Sequence, residues 1–271
     1  MRGILLTIGL CLFSTFCHAW ELGSPVGSRS SAMGNCSVAL QDFWSIHNNP
    51  AGFAGLNSIS IGVSYENRFM MKELSYLNAG LATPINKIGG LSLTFNRFGF
   101  TNFNENKIGI GYARSFGQHL KIGLQIDYLL FTFSKDYKNR NVFTFEIGVQ
   151  SDITEKLCVG AYIFNPVNVK IKSLNNEKIP IVFRIGLSYK INKDFMATTE
   201  TEYNSDKALD YRIGLEYNVL KGFFIRTGVY TNPATACFGA GYSMRSFTID
   251  ISSKMNQITG VSLQGSLIFK L

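Results

Sequence analysis

Beyond its first twenty residues the chain has no apolar run approaching the roughly 18 residues that a membrane-spanning helix needs, so a helical membrane protein is excluded. Histidine is nearly missing. Past the N-terminus only His47 and His119 remain, and neither has serine, cysteine or acidic neighbours in triad or metal-ligand spacing. No reaction is expected from such a set, and no metal or cofactor. Cysteine is scarce as well: Cys11 and Cys17 lie in the N-terminal stretch, leaving Cys36, Cys158 and Cys237. Their spacing fits no zinc site, so they read as small buried hydrophobes, with a bond from Cys36 to Cys158 or Cys237 left open. Charged residues are only 16% of the chain, and the net charge of +8 comes without any basic run. Scattered Lys and Arg of this kind exclude nucleic acid as a partner.

The one helix-shaped apolar stretch has a secretory pattern. Arg2 supplies the basic start, Ile4 to Phe13 the apolar centre, and Cys17-His18-Ala19 a small-residue cleavage site. Residues 1–19 are therefore expected to be removed, leaving a mature chain that begins at Trp20. Phe16 stands where a lipoprotein signal needs a small residue, which argues against lipidation.

From Ile59 onward a single unit repeats: about ten residues of alternating character, then a turn. Ile59-Ile61-Val63-Tyr65, Ile108-Ile110-Tyr112, Ile122-Leu124-Ile126-Tyr128 and Tyr211-Ile213-Leu215-Tyr217 are examples among about fourteen such rows. A period of two sustained this long means strands. The opposite face tells a membrane barrel from a soluble sandwich. It carries Gly62, Gly80, Gly109, Gly111, Gly123, Gly148, Gly160, Gly186, Gly214, Gly228, Gly239 and Gly241, with Ser and Gln between them. A water-facing sheet has little use for interior glycine, which weakens a strand and packs against nothing. Small residues suit an inner wall crowded by something within, with the large apolar row facing lipid.

The expected fold is thus all-β: a transmembrane antiparallel barrel of about fourteen strands, spanning 58–271, with residues 20–57 as an N-terminal plug or hatch in its lumen. Closure follows from the membrane, because an open sheet edge in hydrocarbon leaves N–H and C=O groups unpaired at several kcal/mol each. Turns such as Phe116-Gly117-Gln118 alternate with longer loops such as 134–141 and 165–180, the habit of barrels with short periplasmic turns. Tyr65, Tyr112, Tyr128, Tyr189, Tyr203 and Tyr217 fall near row ends, where headgroup-level rings belong.

On the inward parity lie Asp127, Glu146, Arg184, Glu200, Glu202, Arg212, Glu216, Arg226 and Asp250. Opposite signs on neighbouring strands can pair across the lumen or with the plug, and a buried charge left alone is strongly destabilising. A field that guides a solute is the sharper alternative. Glu200 and Glu202 share a face, but carboxylates one pleat apart make a lumen wall as readily as a catalytic pair.

Residues 21–57 lack the period of two. They contain Arg29-x-x-Ala32-Met33-Gly34, then Val38-Ala39-Leu40 and Phe43-Trp44, then Asn49-Pro50-Ala51-Gly52. Asn-Pro initiates a turn, and Gly52 and Gly55 permit a sharp bend into the first strand. Met33, Val38, Leu40, Phe43 and Trp44 either pack as a small core or line a greasy pocket.

The Arg29, Ala32, Met33, Gly34 signature, followed by Asn49, Pro50, Ala51 and Gly52 just before the first strand, resembles the N-terminus of the PorV/PorQ family. That family belongs to the wider group of outer-membrane barrels typified by the fatty-acid transporter FadL. The resemblance implies a fourteen-stranded barrel in the Gram-negative outer membrane, embedded in its lipid, with the N-terminal segment folded into the lumen. It also implies one of two roles. PorV/PorQ-like members are scaffolds of type IX secretion that hold secreted or surface proteins, whereas FadL-like members are passive channels for hydrophobic ligands. The short loops of this chain leave little material for a large extracellular partner site.

Overall fold

The computed structural model describes residues 23–85, 88–101, 103–133, 139–171 and 177–271. The expected signal, residues 1–19, lies outside the described residues.

The strands are β1 (Ser60–Asn67), β2 (Ser75–Ile85), β3 (Gly89–Phe100), β4 (Phe103–Phe116), β5 (Leu120–Phe133), β6 (Arg140–Asp152) and β7 (Leu157–Phe164). After a small ribbon, β8 (Lys170–Ile171) and β9 (Glu177–Lys178), come β10 (Val182–Lys190), β11 (Phe195–Asn204) and β12 (Lys207–Leu220). The chain finishes with β13 (Phe223–Thr231), β14 (Ala234–Ser243), β15 (Phe247–Asn256) and β16 (Gly260–Lys270). Leaving out the ribbon, fourteen strands pair antiparallel with their sequence neighbours, and β1 closes on β16, placing Ser60 opposite Lys270 and Asn67 opposite Leu263. Closure removes both edges, which is what hydrocarbon demands of a sheet.

Burial alternates along the strands, as the period of two requires: in β1, Ser60, Gly62, Ser64 and Glu66 are covered while Ile61, Val63 and Tyr65 are exposed. The same sense holds around the wall, so the outside is a band of large apolar side chains. Ile110 and Ile126, cross-strand partners, are each 65% exposed, and Phe143 is 67% exposed. Such a surface is at home in lipid and not in water. Tyr112, Tyr189 and Tyr217 stand at one rim, Tyr65 and Tyr203 at the other.

With an even number of strands, the start of β1 and the end of β16 share one end of the barrel. No connection at that end exceeds four residues, whereas the longer connections 68–74, 134–139 and 165–181 all join strands at the other end. These are called below the short-turn end and the long-loop end.

The lipid band yields a direct expectation. Ile126→Arg should destabilise the barrel in lipid vesicles by about 2–4 kcal/mol, the cost of a cation near the bilayer midplane. Urea unfolding followed by gel mobility measures it, and an unchanged midpoint would place Ile126 in water.

Candidate functional site

Residues 23–57 run inside the wall. They form two short helices, α1 (Ser28–Ala32) and α2 (Ser45–Asn48), followed by a 3-10 turn at Pro50–Phe53, with tight turns between them. The segment has no sheet of its own, so its backbone polar groups must find partners on the wall or within the segment.

Four cross-strand glycine pairs on the wall provide the seats: Gly62 with Gly80, Gly123 with Gly148, Gly160 with Gly186, and Gly214 with Gly228. A Cβ on the first pair would overlap Phe43 and Ile46, on the second Asn49 and Pro50, on the third Val38, and on the fourth Met33 and Gly34. Two facing glycines thus make a notch one side chain deep in each place. Gly239 adds a fifth contact, against Ala32 Cβ. Met33-Gly34 and Asn49-Pro50-Ala51 are accordingly pressed onto bare wall backbone. Gly34 itself has φ +66°, a conformation that favours glycine.

Asn49, fully buried, ties three strands of chain together. Its Nδ2 donates to the carbonyls of Val38 (2.7 Å), Val149 (3.3 Å) and Ala161 (3.3 Å), and its Oδ1 accepts from Ala51 N (3.1 Å). Gln150 Nε2 donates to the carbonyls of Val38 and Leu40, each at 2.9 Å. Gly52 and Gly55 lie in the tight turns that lead toward β1. Neither has positive φ, and Gly52 is needed because a Cβ would collide with Ser45 Oγ and the Leu40 carbonyl.

Charge completes the attachment. Arg29 grips Glu216 with two parallel bonds, Nε to Oε2 at 2.8 Å and Nη2 to Oε1 at 2.7 Å, and its Nη1 meets Asp42 at 3.0 Å. Arg226 then bridges Glu216 and Asp250, at 2.6 Å to each. The chain of charges Asp42–Arg29–Glu216–Arg226–Asp250 ties α1 to β12, β13 and β15. A second network joins Arg184, Glu200, Glu202, Asp210 and Arg212 on β10 to β12, with four contacts of 2.6–2.8 Å. It holds the segment by its backbone. Glu200 Oε2 accepts from Ser37 N and Val38 N, both at 2.7 Å, while Arg184 donates to the Gly23 carbonyl and Arg212 to that of Asn35.

Asp127 and Glu146 fall apart from these networks, on β5 and β6. Glu146 pairs with Lys107 at 2.5 Å, and Asp127 accepts from Gln125 at 2.9 Å. Lys107 was missed by the sequence reading, although it shares the inward parity of Gly109 and Gly111. Asp210, two residues before Arg212, carried the same signal. Asp42 had none, because the segment has no period from which a face can be read.

His47 on α2 is enclosed, with Asn96 Nδ2 at 3.1 Å from its Nδ1. Burial, and after it the charge of Lys107, push the ring down to about 3, so it stays neutral. Cys36, Cys158 and Cys237 are buried free thiols, so the staple left open by the sequence is not formed.

Charged cavities lie beside the segment toward both ends of the barrel. One of about 180 Å3 opens at the long-loop end beside Glu66, Arg68, Asp210 and Lys254, and one of about 460 Å3 lies at the short-turn end beside Arg29, Trp44, Arg226 and Lys270.

No protein-family model matches the chain, and no curated protein matches it. Solved structures do. The toluene transporter TbuX of Ralstonia pickettii superposes with a TM-score of 0.68 at 10% identity, covering 92% of this chain and 97% of that one. The toluene transporter TodX of Pseudomonas putida gives 0.67 at 11% identity, with 92% and 99% covered. A FadL homologue of Pseudomonas aeruginosa gives 0.62 at 11%, with 91% and 98% covered. At such identities the likeness is one of fold: this chain shares the overall architecture of those proteins.

Two expectations follow from the lumen. Glu216→Gln removes the anion shared by Arg29 and Arg226, and breaking a buried pair in this way costs about 3–5 kcal/mol. Protease cleavage within residues 23–57 should rise sharply while the heat-shifted barrel band persists; unchanged protection would mean that the glycine seats hold the segment alone. His47 gives a pH signature. The unfolded ring takes a proton near pH 6.5 and the folded ring only near pH 3, so stability falls as pH drops through that window, by up to about 1.4 kcal/mol per unit. In His47→Gln the loss between pH 7 and pH 5 should shrink; an equal loss would show that the ring is protonated in the folded chain.

Proposed function

We propose that this chain is a non-enzymatic barrel of the Gram-negative outer membrane that binds small hydrophobic molecules and lets them cross passively. The observation that supports this reading is the likeness in fold, over nine-tenths of the chain, to barrels described as toluene transporters. Residues 20–57 act in it as a hatch. They separate the cavity at the long-loop end from the one at the short-turn end, so a solute crosses only after they shift. The ion pairs that hold them are exchangeable, because each arginine has more than one carboxylate within reach.

A second reading, a PorV/PorQ-like scaffold that holds secretion-system or surface proteins, draws on the signature itself. Arg29, Ala32, Met33, Gly34, Asn49, Pro50, Ala51 and Gly52 are buried or partly buried against the wall or within the segment, and a lumen fastened so firmly suits a rigid platform.

Uptake separates the two. Cells carrying the gene should take up labelled toluene at low concentration severalfold faster than cells lacking it. Equal rates, together with partner proteins retained on the barrel through gentle solubilisation, would replace the transport reading with the scaffold.

A further inference from the structure

Over most of its circumference the inner wall is glycine, serine and charge, but near the long-loop end of β5, β7 and β10 it turns apolar. Leu129, Phe131, Tyr162, Phe164 and Val182 point inward and are at most 2% exposed. Leu129 and Phe131 continue the parity of Asp127, so a polar inner row becomes a hydrophobic one within a single strand. An inner wall facing backbone or water gains nothing from such residues.

What covers them is the chain itself: Gly23 of the lumenal segment lies beside Phe164 and Val182, and Val38 and Ala39 join the same apolar cluster. In the connection from β7 to β10, the described stretches 165–171 and 177–181 lay Ile171 and Ile179 on the patch, 4% and 0% exposed. Little sheet holds them there, since β8 and β9 pair over two residues each. The anchor is one buried asparagine. Asn165 Nδ2 donates to the carbonyls of Ile179 (2.8 Å) and Pro180 (3.4 Å), and its Oδ1 accepts from Thr144 Oγ1 (2.9 Å) and Val169 N (3.2 Å). Its backbone is left-handed, with φ +54°, and donates to the Phe145 carbonyl at 3.1 Å.

We propose that the patch of Leu129, Phe131, Tyr162, Phe164 and Val182 is a binding site for one small, uncharged, ring-sized molecule, and that Ile171 and Ile179 fill it as an internal competitor. This rests on the transport reading above. The two sec-butyl groups together have about the bulk of a methylated benzene ring. An apolar cavity that they vacate would stay dry and accept such a ring. Charge sets the class of ligand. The cations bordering the patch, Lys107 over Phe164 at 5.5 Å and Arg184 over Tyr162 at 5.1 Å, are committed to Glu146 and Glu202. A carboxylate ligand would have to compete with those wall anions for its countercharge, whereas an uncharged ring meets edges and faces only.

The test uses the full chain in lipid nanodiscs, with fluorobenzene as the probe read by fluorine NMR against empty nanodiscs. Ile171→Ala with Ile179→Ala should bind about tenfold more tightly than the parent, because the competitor is gone. Adding Phe131→Asn should abolish the saturable signal, and decanoate should fail to displace the probe. Equal affinity in parent and double variant overturns the proposal, as does binding indifferent to Phe131→Asn; displacement by decanoate overturns the uncharged class. A heat-shifted gel band certifies each variant as a closed barrel. If the double alanine fails it, Ile171→Val with Ile179→Val replaces it, with a smaller gain expected. Toluene uptake without saturable binding rejects this site and leaves transport standing. Saturable binding without uptake does the reverse.

Discussion

An inner wall of notches and charges is stable only when it is occupied, and the rest of the structure depends on that constraint. Closing the sheet satisfies the backbone toward lipid, but it encloses carboxylates and guanidiniums that are ruinous alone. It also encloses glycine seats that an empty lumen would leave as voids. Residues 23–57 answer both needs at once. Arg29 supplies the cation that Glu216 shares with Arg226, the Ser37 and Val38 amides meet Glu200, and Met33, Val38, Phe43 and Pro50 sit where a wall Cβ would have been.

The lumen is divided in its chemistry. Along β10 to β15 it is ionic, and the lumenal segment is fixed there by charge and backbone hydrogen bonds. Near the long-loop end of β5, β7 and β10 it is apolar, and the cover comes from the chain's own connection, pinned by Asn165, together with Gly23, Val38 and Ala39 of the lumenal segment. An ionic attachment can exchange partners without leaving a charge bare, since Arg212 alone faces Glu200, Glu202 and Asp210. An apolar patch can exchange one hydrophobic occupant for another. Both are attachments that hold firmly at rest and still allow substitution.

Much of this was legible in the residues. The strand rows, their sense and the inward charges follow from a period of two, which survives any tertiary detail because a slip of one residue would turn every isoleucine into the lumen. Lys107 and Asp210 carried the same signal and needed only the parity rule. The partnership of Arg29 with Glu216 did not: the two are far apart in sequence, and the segment between residues 23 and 57 has no repeat that fixes its faces. The close packing at Gly52 was hidden for the same reason, since only the fold reveals that Ser45 stands against it. Nor could the burial of Ile171 and Ile179 be foreseen, because the 165–181 connection reads like any external loop until these two side chains find the apolar wall.

The sequence by itself determined the closed barrel and its lipid-facing side, because alternation and unpaired edges are local facts with a single global solution in a membrane. Only the tertiary structure decided which residue sits in which notch, which charge meets which, and which apolar patch the chain reserves for itself. Those are meetings between segments distant in sequence, and their geometry comes from the shear and closure of the whole wall.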